Sequence, residues 1–348
     1  MADMEKVVSI KVIGVGGAGG NVINSMIRNQ VSGAELIVVN TDKQDLDKNS
    51  CKTQVQIGEK LTEGKGAGAR PEIGQQAAEE SKAAIEQVLE GADMVFVTAG
   101  MGGGTGTGAA PIVAGLAHDA GILTVGVVTK PFRWEGKSRM DKADVGIAEL
   151  SQKVDSLIII PNDRLKYVAD QKITFANAFG IADDVLRQAV ESIAELVSYD
   201  ERVLMNLDFA DVTSVMKNAG RAHMGVATAS GRDKAEQAAL AAVASPLLET
   251  SINGATGVLI NVTGSRDLTL EDVETAANIV ADAVNPEANI IFGATFDDSY
   301  EDSMRVTVIA TGFEEKKPGR ASFGAVATDG QQDDFGLDQL FGAFKKSE

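Results

Sequence analysis

Short apolar runs rich in valine and isoleucine recur along the first half of the chain, and they constrain its fold more than any other feature. They cover residues 9–15, 36–39, 94–98, 123–128 and 157–160. Helix-like segments separate them, so the pattern alternates strand and helix. Continuous apolar strands of this kind are typical of parallel strands buried on both faces. The first half is therefore predicted to be a Rossmann-like, doubly wound α/β domain.

The pattern changes in the second half. Residues 174–198 have a helical period, in which Phe175, Phe179 and other apolar side chains leave one polar stripe, and they predict a long, mostly buried helix. Beyond it we predict a smaller α+β domain. Its helices are expected at residues 234–245 and 269–283, and its strands at 257–262, 290–295 and 304–311.

At 348 residues and 44% apolar content, the chain is long enough for two packed domains. We place the α/β domain at residues 1–173, a central connecting helix at 174–202 and the α+β domain at 203–313. Residues 314–348 turn polar and are expected to form a disordered linker that ends in a short partner-binding segment.

Charge and cysteine content narrow the class of protein. The net charge of -18 would repel a nucleic-acid backbone, so no nucleic-acid partner is expected. With Cys51 as its one cysteine, the chain has no disulfide framework and no cysteine cluster for zinc. The N-terminus lacks the features of a signal peptide, and no apolar stretch reaches the ~20 residues of a membrane span. We therefore expect a cytoplasmic protein that does not insert into the membrane.

The first glycine cluster, GVGGAGG at residues 14–20, ends a predicted strand and opens a helix. Glycine at such a turn lets backbone N–H groups approach a phosphate closely. The cluster also satisfies the dinucleotide fingerprint, with Asp42 near the position of a ribose-binding acid, so an NAD-dependent oxidoreductase stays open as an alternative. A structural turn without a ligand is the other interpretation.

The second cluster, AGMGGGTGTG at residues 99–108, has six glycines between Gly100 and Gly108. Because so many glycines cost backbone entropy, they indicate that a ligand needs the space. We expect the helix to begin at residues 109–111, with Pro111 in its first turn. No Lys-Ser/Thr pair follows the glycines, so this is not a Walker P-loop. Together the two clusters predict a nucleotide held by its phosphates.

The segment GGGTGTG between a strand and a helix resembles the signature of the tubulin/FtsZ superfamily. Further motifs appear in the order of the superfamily's bacterial cell-division members: NTD at 40–42, EGKSR at 135–139, PND at 161–163 and NLDFAD at 206–211. The resemblance covers about residues 8–313. It implies a cytoskeletal GTPase that polymerises head-to-tail into the division ring at midcell beneath the inner membrane. Its cofactors would be GTP or GDP and Mg²⁺, whose protein ligands stay unknown.

The resemblance also implies the nucleotide contacts. Those to the phosphates fall on Gly17, Gly19, Gly20, Gly104, Thr105 and Gly106. Ala18 is a further nucleotide-binding residue, and Asn21 closes the first turn beside them. Gly68 and Ala69 would lie in the loop that senses the γ-phosphate. Arg70 follows where the family usually has Asn, so it is either a phosphate contact or a surface charge. Glu135 and Arg139 would bind near the ribose, although a surface ion pair is the simpler interpretation.

The guanine contacts are implied in the same way. Phe179 and Asp183 are four residues apart and so share a helix face. By resemblance the aromatic ring stacks on guanine and the aspartate accepts from its N1–H and N2–H₂ donors, with Asn162 assisting at the base or sugar. Without the resemblance, Phe179 would be interpreted as a core residue.

Asn206, Asp208 and Asp211 follow the long helix. Two carboxylates three residues apart can orient or deprotonate water, although helix capping is the alternative. A helix of ~25 residues spans almost 40 Å, so these residues cannot reach a nucleotide in their own chain. The resemblance implies that they complete the catalytic site of the next subunit in a head-to-tail filament.

The chain's last stretch, FGLDQLFGAFKKSE at residues 335–348, has aromatic, apolar and basic residues without the proline common in the family. It is expected to bind membrane-tethering and division-regulating proteins, with an unstructured end as the alternative. A non-hydrolysing scaffold would need a degenerate catalytic loop, whereas Asp208 and Asp211 are both present. For the oxidoreductase alternative, neither His118 nor His223 lies near a hydride-transfer motif.

Overall fold

Parallel strands form the sheet of the first half. The computed structural model describes residues 8–167, 173–197, 203–205, 208–248 and 251–313. The strands are β1 (Ile10–Val15), β2 (Glu35–Asn40), β3 (Thr53–Gln56), β4 (Met94–Gly100), β5 (Leu123–Lys130) and β6 (Ser156–Pro161). They lie in the order β3-β2-β1-β4-β5-β6 and all pair in parallel. This order confirms the predicted doubly wound fold, and its direction reverses between β1 and β4.

Helices cover both faces of this sheet. They are α1 (Gly16–Arg28), α2 (Lys43–Asp47), α3 (Glu59–Thr62), α4 (Pro71–Glu80), α5 (Lys82–Leu89), α6 (Thr105–Asp119) and α7 (Lys137–Leu150). Successive strand residues point to opposite faces, so Val12 belongs to one apolar core and Ile13 to the other. Both are fully buried, which explains why β1 is apolar without alternation.

The long helix α8 runs from Ala178 to Val197 in the described residues and is shorter at its start than predicted. Residues 174–177 form a turn, in which the Asn177 side-chain oxygen accepts from the Thr174 amide N–H at 2.6 Å. Phe175 therefore lies before the helix and is 77% exposed, so its assignment to the apolar face was wrong. The apolar face of α8 shares one core with residues of both halves, among them Ile158 and Leu259.

The second half forms a mixed sheet with helices. Its elements are β7 (Val203–Met205), α9 (Phe209–Met216), β8 (Gly220–Ser230), α10 (Lys234–Val243), β9 (Gly257–Gly264), α11 (Leu270–Ala283), β10 (Asn289–Phe296) and β11 (Ser303–Thr311). The strand order is β8-β11-β9-β10-β7, with β9 and β10 parallel and the other pairs antiparallel. The start of β8 pairs in parallel with β6, which makes the two sheets continuous.

No helix in the described part of the chain is long and apolar enough to cross a bilayer. The C-terminal segment and its expected partner surface, residues 314–348, lie outside the described residues, as does Asn206.

Candidate nucleotide-binding site

The two glycine clusters meet at the carboxyl ends of β1 and β4, where the strand order reverses. Helix α1 begins at Gly16, directly after β1, and helix α6 begins at Thr105, with four residues between it and the end of β4. A Cβ atom on Gly16 would lie 2.9 Å from the amide nitrogen of Gly106, so the two helix N-termini are adjacent. Helix N-termini and the switch point of a doubly wound sheet both favour an anionic ligand, and here they coincide.

The second cluster packs helices as well as lining a ligand site. Helix α6 begins at Thr105, so the predicted start at residues 109–111 was wrong, and Pro111 lies inside the helix. A Cβ atom on Gly108 would lie 1.9 Å from the carbonyl oxygen of Pro71, at the start of α4. Gly108 therefore lies where α4 and α6 pack backbone against backbone and leave no room for a side chain.

A cleft of about 430 Å³ opens where the clusters meet. It is lined by Val15, Gly17, Ala18, Asn40, Asp42, Asp45, Lys65, Gly66, Ala67, Gly68, Ala69, Gly100, Gly103, Gly104, Thr105, Gly106 and Arg139. A smaller cavity of about 220 Å³ shares Gly17 with it and is also lined by Gly20 and Asn21. Gly19 is buried behind the turn, where its Cβ would lie 2.6 Å from the Thr98 carbonyl oxygen.

The acids and amides of β2 and its following turn were not predicted as lining residues. Asn40, Asp45 and Lys65 face the cleft. For Asn40 and Asp45, the signal that could have found them is their position at the end of a parallel strand and just after it, whereas Lys65 lies in the loop after α3. The Asp42 carboxylate accepts from the amides of Gln44 and Asp45 as the N-cap of α2. The oxidoreductase alternative needs Asp42 to bind a ribose, but in the structure this carboxylate caps helix α2.

The loop at residues 63–70 forms one wall of the cleft. Gly66, Gly68 and Ala69 all have left-handed φ angles, of 80°, 59° and 58°. The loop packs on the second glycine cluster, because a Cβ on Gly104 would lie 2.8 Å from that of Ala67. Arg70 is exposed and is not among the residues that line the cleft.

Glu135 and Arg139 form an ion pair with a buried acid. The Glu135 side chain is 5% exposed; one oxygen accepts from the Phe132 amide at 2.9 Å and the other lies 3.1 Å from Arg139 Nη1. Glu135 is absent from the cleft lining, whereas Arg139 faces the cleft. The structure thus places the Arg139 guanidinium at the cleft and leaves the Glu135 carboxylate outside the cleft lining.

Phe179 is half-exposed at the first turn of α8 rather than a core residue. Its ring packs edge-on against Phe132 and Trp134, with centroids 5.8 and 5.9 Å away. An aromatic ring with an open face beside other rings offers a stacking surface for a planar base. Trp134 was not predicted as part of this region.

Asp183 lies one helical turn further along α8. Burial, together with the neighbouring charge of Asp184, raises its pKa to about 7, while Arg28 acts in the opposite direction. Helix α1 lies alongside, because the Ser25 hydroxyl donates to the Asp184 carboxylate at 2.9 Å. Asp183 therefore lies on a helix that packs beside α1, and neither Asp183 nor Phe179 is among the residues that line the cleft.

Asn162 begins the 3-10 turn after β6 and is 5% exposed. Its side-chain oxygen is buried without a hydrogen-bond partner among the described residues. Because buried polar atoms are normally satisfied, this oxygen is available to a ligand donor.

Asp208 and Asp211 lie away from the cleft, at the start of α9. Both side chains are exposed, and the Asp211 amide donates to the Asp208 carbonyl at 2.9 Å. Phe209 of α9 lies beside Leu123 and Asp155, where β5 and β6 start, whereas the cleft lies at the carboxyl ends of the strands. The structure therefore does not bring these acids to the nucleotide site of their own chain.

A larger cavity, of about 750 Å³, lies elsewhere, between α4, α6 and α7. It shares no lining residue with the predicted nucleotide contacts. We assign the nucleotide to the smaller cleft because the helix N-termini and both glycine clusters converge there.

Among the described residues, no group of three or more His, Cys, Asp or Glu side chains is placed to hold a metal ion. The protein could therefore supply only one or two ligands to a Mg²⁺ ion, and phosphate oxygens and water would supply the others. Asp45, which lines the cleft, is the acid closest to that role.

The fold and the glycine-lined cleft define a nucleotide-binding protein of the doubly wound α/β class. The model of the Tubulin/FtsZ family GTPase domain matches residues 9–170, and that of the FtsZ family C-terminal domain matches residues 220–314. The chain belongs to the Tubulin/FtsZ family and is a GTPase of the cytoskeletal type.

Solved structures agree with this assignment. An empty FtsZ dimer from M. jannaschii is 43% identical, with 89% of each chain covered and a TM-score of 0.85. A mutant FtsZ from the same organism has the same identity and TM-score, with 88% of this chain and 92% of the other covered. CetZ2 from Haloferax volcanii, solved as a GTPgS-bound protofilament, is 22% identical with 89% and 95% covered, and its TM-score of 0.72 shows a shared fold. None of these matches supports the oxidoreductase alternative.

Proposed function

We propose that the cleft binds GTP with its phosphates over the N-termini of α1 and α6 and its guanine between α1 and α8. The phosphates would contact the glycine-rich turns at Gly17, Ala18, Gly104, Thr105 and Gly106, with Arg139 alongside. The adjacency of the two helix N-termini supports this placement, since their backbone N–H groups and dipoles attract anions.

Guanine recognition would use Phe179 for stacking and Asp183 for the base edge. The ionised Asp183 carboxylate accepts hydrogen bonds only, which matches the N1–H and N2–H₂ donors of guanine. The unpartnered oxygen of Asn162 would accept a further donor from the base or sugar.

Hydrolysis, in this proposal, needs a second copy of the chain. Asp208 and Asp211 are exposed, and their helix lies at the opposite ends of the strands from the cleft, so they would act on the GTP of a neighbouring subunit, with Asn206 beside them. A contact between two different surfaces does not close on itself and generates a filament. One similar structure is described as an FtsZ dimer, which is in line with association between copies.

In such a site Mg²⁺, when bound, would neutralise phosphate charge, held by phosphate oxygens and Asp45. The carboxylates of Asp208 and Asp211 would orient the attacking water and accept its proton. Hydrolysis would remove the γ-phosphate and its contacts to Gly68 and Ala69, and so weaken the junction between subunits.

The cellular role we propose is that of the filament beneath the membrane at the division site. Residues 335–348 would bind membrane-tethering and division-regulating proteins. Deleting them should leave polymerisation intact and abolish recruitment to a tethering partner; polymers that are still recruited would contradict this assignment.

The separation of the acids from the cleft is the observation on which the shared-site proposal depends. Its test is the GTPase rate per subunit, measured from dilute to concentrated protein with electron microscopy of the same samples. We expect the rate per subunit to rise with concentration as filaments appear. A rate per subunit that is constant over that range would show that one chain contains a complete site.

A further inference from the structure

Lys142 on α7 reaches the loop that walls the nucleotide cleft. Its Nζ donates a hydrogen bond to the carbonyl oxygen of Ala69 at 2.8 Å, across 73 positions of sequence. Lys142 lines the large cavity between α4, α6 and α7, whereas Ala69 lines the nucleotide cleft. The hydrogen bond therefore ties the loop that walls the cleft to α7.

The loop needs such support because its backbone is unusual. Glu63, Gly64, Gly66, Gly68 and Ala69 all have left-handed φ angles. Left-handed backbone is unfavourable for residues with a Cβ atom and persists only where contacts hold it. At Ala69, whose φ is 58°, the Lys142 hydrogen bond is such a contact.

The direction of the carbonyl matters for an anionic ligand. While Lys142 holds it, the Ala69 oxygen points toward α7, whose Lys142 Nζ it accepts from. If it were released, rotation of this peptide unit could turn its oxygen, which carries partial negative charge, toward the phosphates. The side of the peptide that faces the cleft would then repel an anion rather than accommodate it.

From this geometry we infer that Lys142 is a positioning residue that holds the loop at residues 63–70 in the form that accepts the terminal phosphate of the nucleotide. The inference rests on the proposed placement of GTP in the cleft. Lys142 is not among the residues that line the cleft, so its effect would fall on the part of the ligand that the loop contacts. GTP affinity should depend on Lys142, while GDP affinity should not.

The test compares dissociation constants for GDP and for a GTP analogue that is not hydrolysed, with full-length protein at concentrations below polymerisation. Lys142→Met should weaken the analogue about three- to tenfold, the range expected for one charge-assisted hydrogen bond at a partly exposed site. GDP binding should change less than about twofold by the same arithmetic. Lys142→Arg, which keeps a long cationic donor, should restore analogue binding.

A local control is Lys137→Met. Lys137 lies on the same helix and lines the same cavity, and within the described residues no hydrogen bond joins it to the loop. It should leave the ratio of the two affinities unchanged. An equal effect of both variants would show that charge alone is responsible, and would overturn the inference.

Two further results would also overturn it. One is an unchanged ratio in Lys142→Met, and the other is an equal loss of both nucleotides, which would indicate general destabilisation. A wild-type chain that binds neither nucleotide would instead refute the proposed function, and the inference with it.

Discussion

Asp183 follows Phe179 by one turn of α8, so an acid whose pKa is raised to about 7 stands beside an open aromatic face. Burial is the main cause of the shift, because it penalises the charged form of the carboxyl group. The group that we assign to the edge of guanine is therefore half-protonated near neutral pH in the free protein. This relationship makes guanine recognition sensitive to pH.

GDP affinity should rise with pH around neutrality. Only the carboxylate accepts from both guanine donors, and with a pKa of about 7 its population grows about tenfold between pH 6 and pH 8. We expect the dissociation constant for GDP to fall by about the same factor, measured by calorimetry. Asp183→Asn should weaken GDP at pH 8 and flatten this dependence. If the GDP affinity of wild type depended on pH as little as that of Asp183→Asn, Asp183 would not contact the base.

The same group should make the stability of the nucleotide-free protein depend on pH. The folded pKa of about 7 lies above the unfolded value of about 3.9, so the folded state binds the proton more tightly. This contribution is fully present below the unfolded pKa and is lost as pH rises through the folded pKa. Between pH 5 and pH 8, wild type should therefore lose stability relative to Asp183→Asn, so the Tm of wild type minus the Tm of Asp183→Asn should fall. A rise of this signed difference with pH would contradict the assignment.

Trp134 offers a direct optical test of base stacking, since it is the one tryptophan in the chain. Its ring lies 5.9 Å from that of Phe179, so a base stacking on Phe179 should change its fluorescence. GDP should shift the emission of wild type, whereas ADP should not at the same concentration. Phe179→Ala should weaken GDP by about 1–3 kcal/mol, the usual value of a stacked base. If GDP changed the Trp134 fluorescence of Phe179→Ala as much as that of wild type, the base would not stack on Phe179.

Asp211→Ala should abolish hydrolysis and retain GTP binding. The side chain is exposed at the start of α9, far from the cleft, so its removal leaves the nucleotide contacts in place. Loss of a general base should lower the GTPase rate about 10²-fold or more. Glu236→Ala removes an exposed acid from the first turn of α10 and serves as the matched control. A large loss of GTP affinity in Asp211→Ala would show that the acid acts on the binding site of its own chain.

Much of the α/β half could be predicted from the sequence because parallel strands buried on both faces leave uninterrupted apolar runs, as at β1 and β4. Strand β3 was missed because TQVQ contains a single apolar residue. Strand β8, GRAHMGVATAS, was missed because small residues dilute its alternation. The composition of the cleft was partly predictable from glycine spacing, while Asp45 and Lys65 come together only through the order of the strands.

The start of α6 is the case in which local sequence misled, and it yields a stability prediction. Glycine runs usually indicate loops, yet Gly108 lies within helix α6. Glycine is needed at this position because a Cβ there would lie 1.9 Å from the Pro71 carbonyl oxygen. Gly108→Ala should therefore force α4 and α6 apart and lower the free energy of unfolding by about 1–3 kcal/mol.

Gly115 on the same helix is the matched position, because its Cβ would meet only the flexible side chain of Lys153, at 3.4 Å. Gly115→Ala should be neutral or raise the free energy of unfolding by up to about 1 kcal/mol, through reduced backbone entropy of the unfolded chain. Urea unfolding of both variants measures the difference directly. Equal effects of the two substitutions would mean that helix propensity, rather than the contact between α4 and α6, determines how replacing a glycine of α6 changes stability.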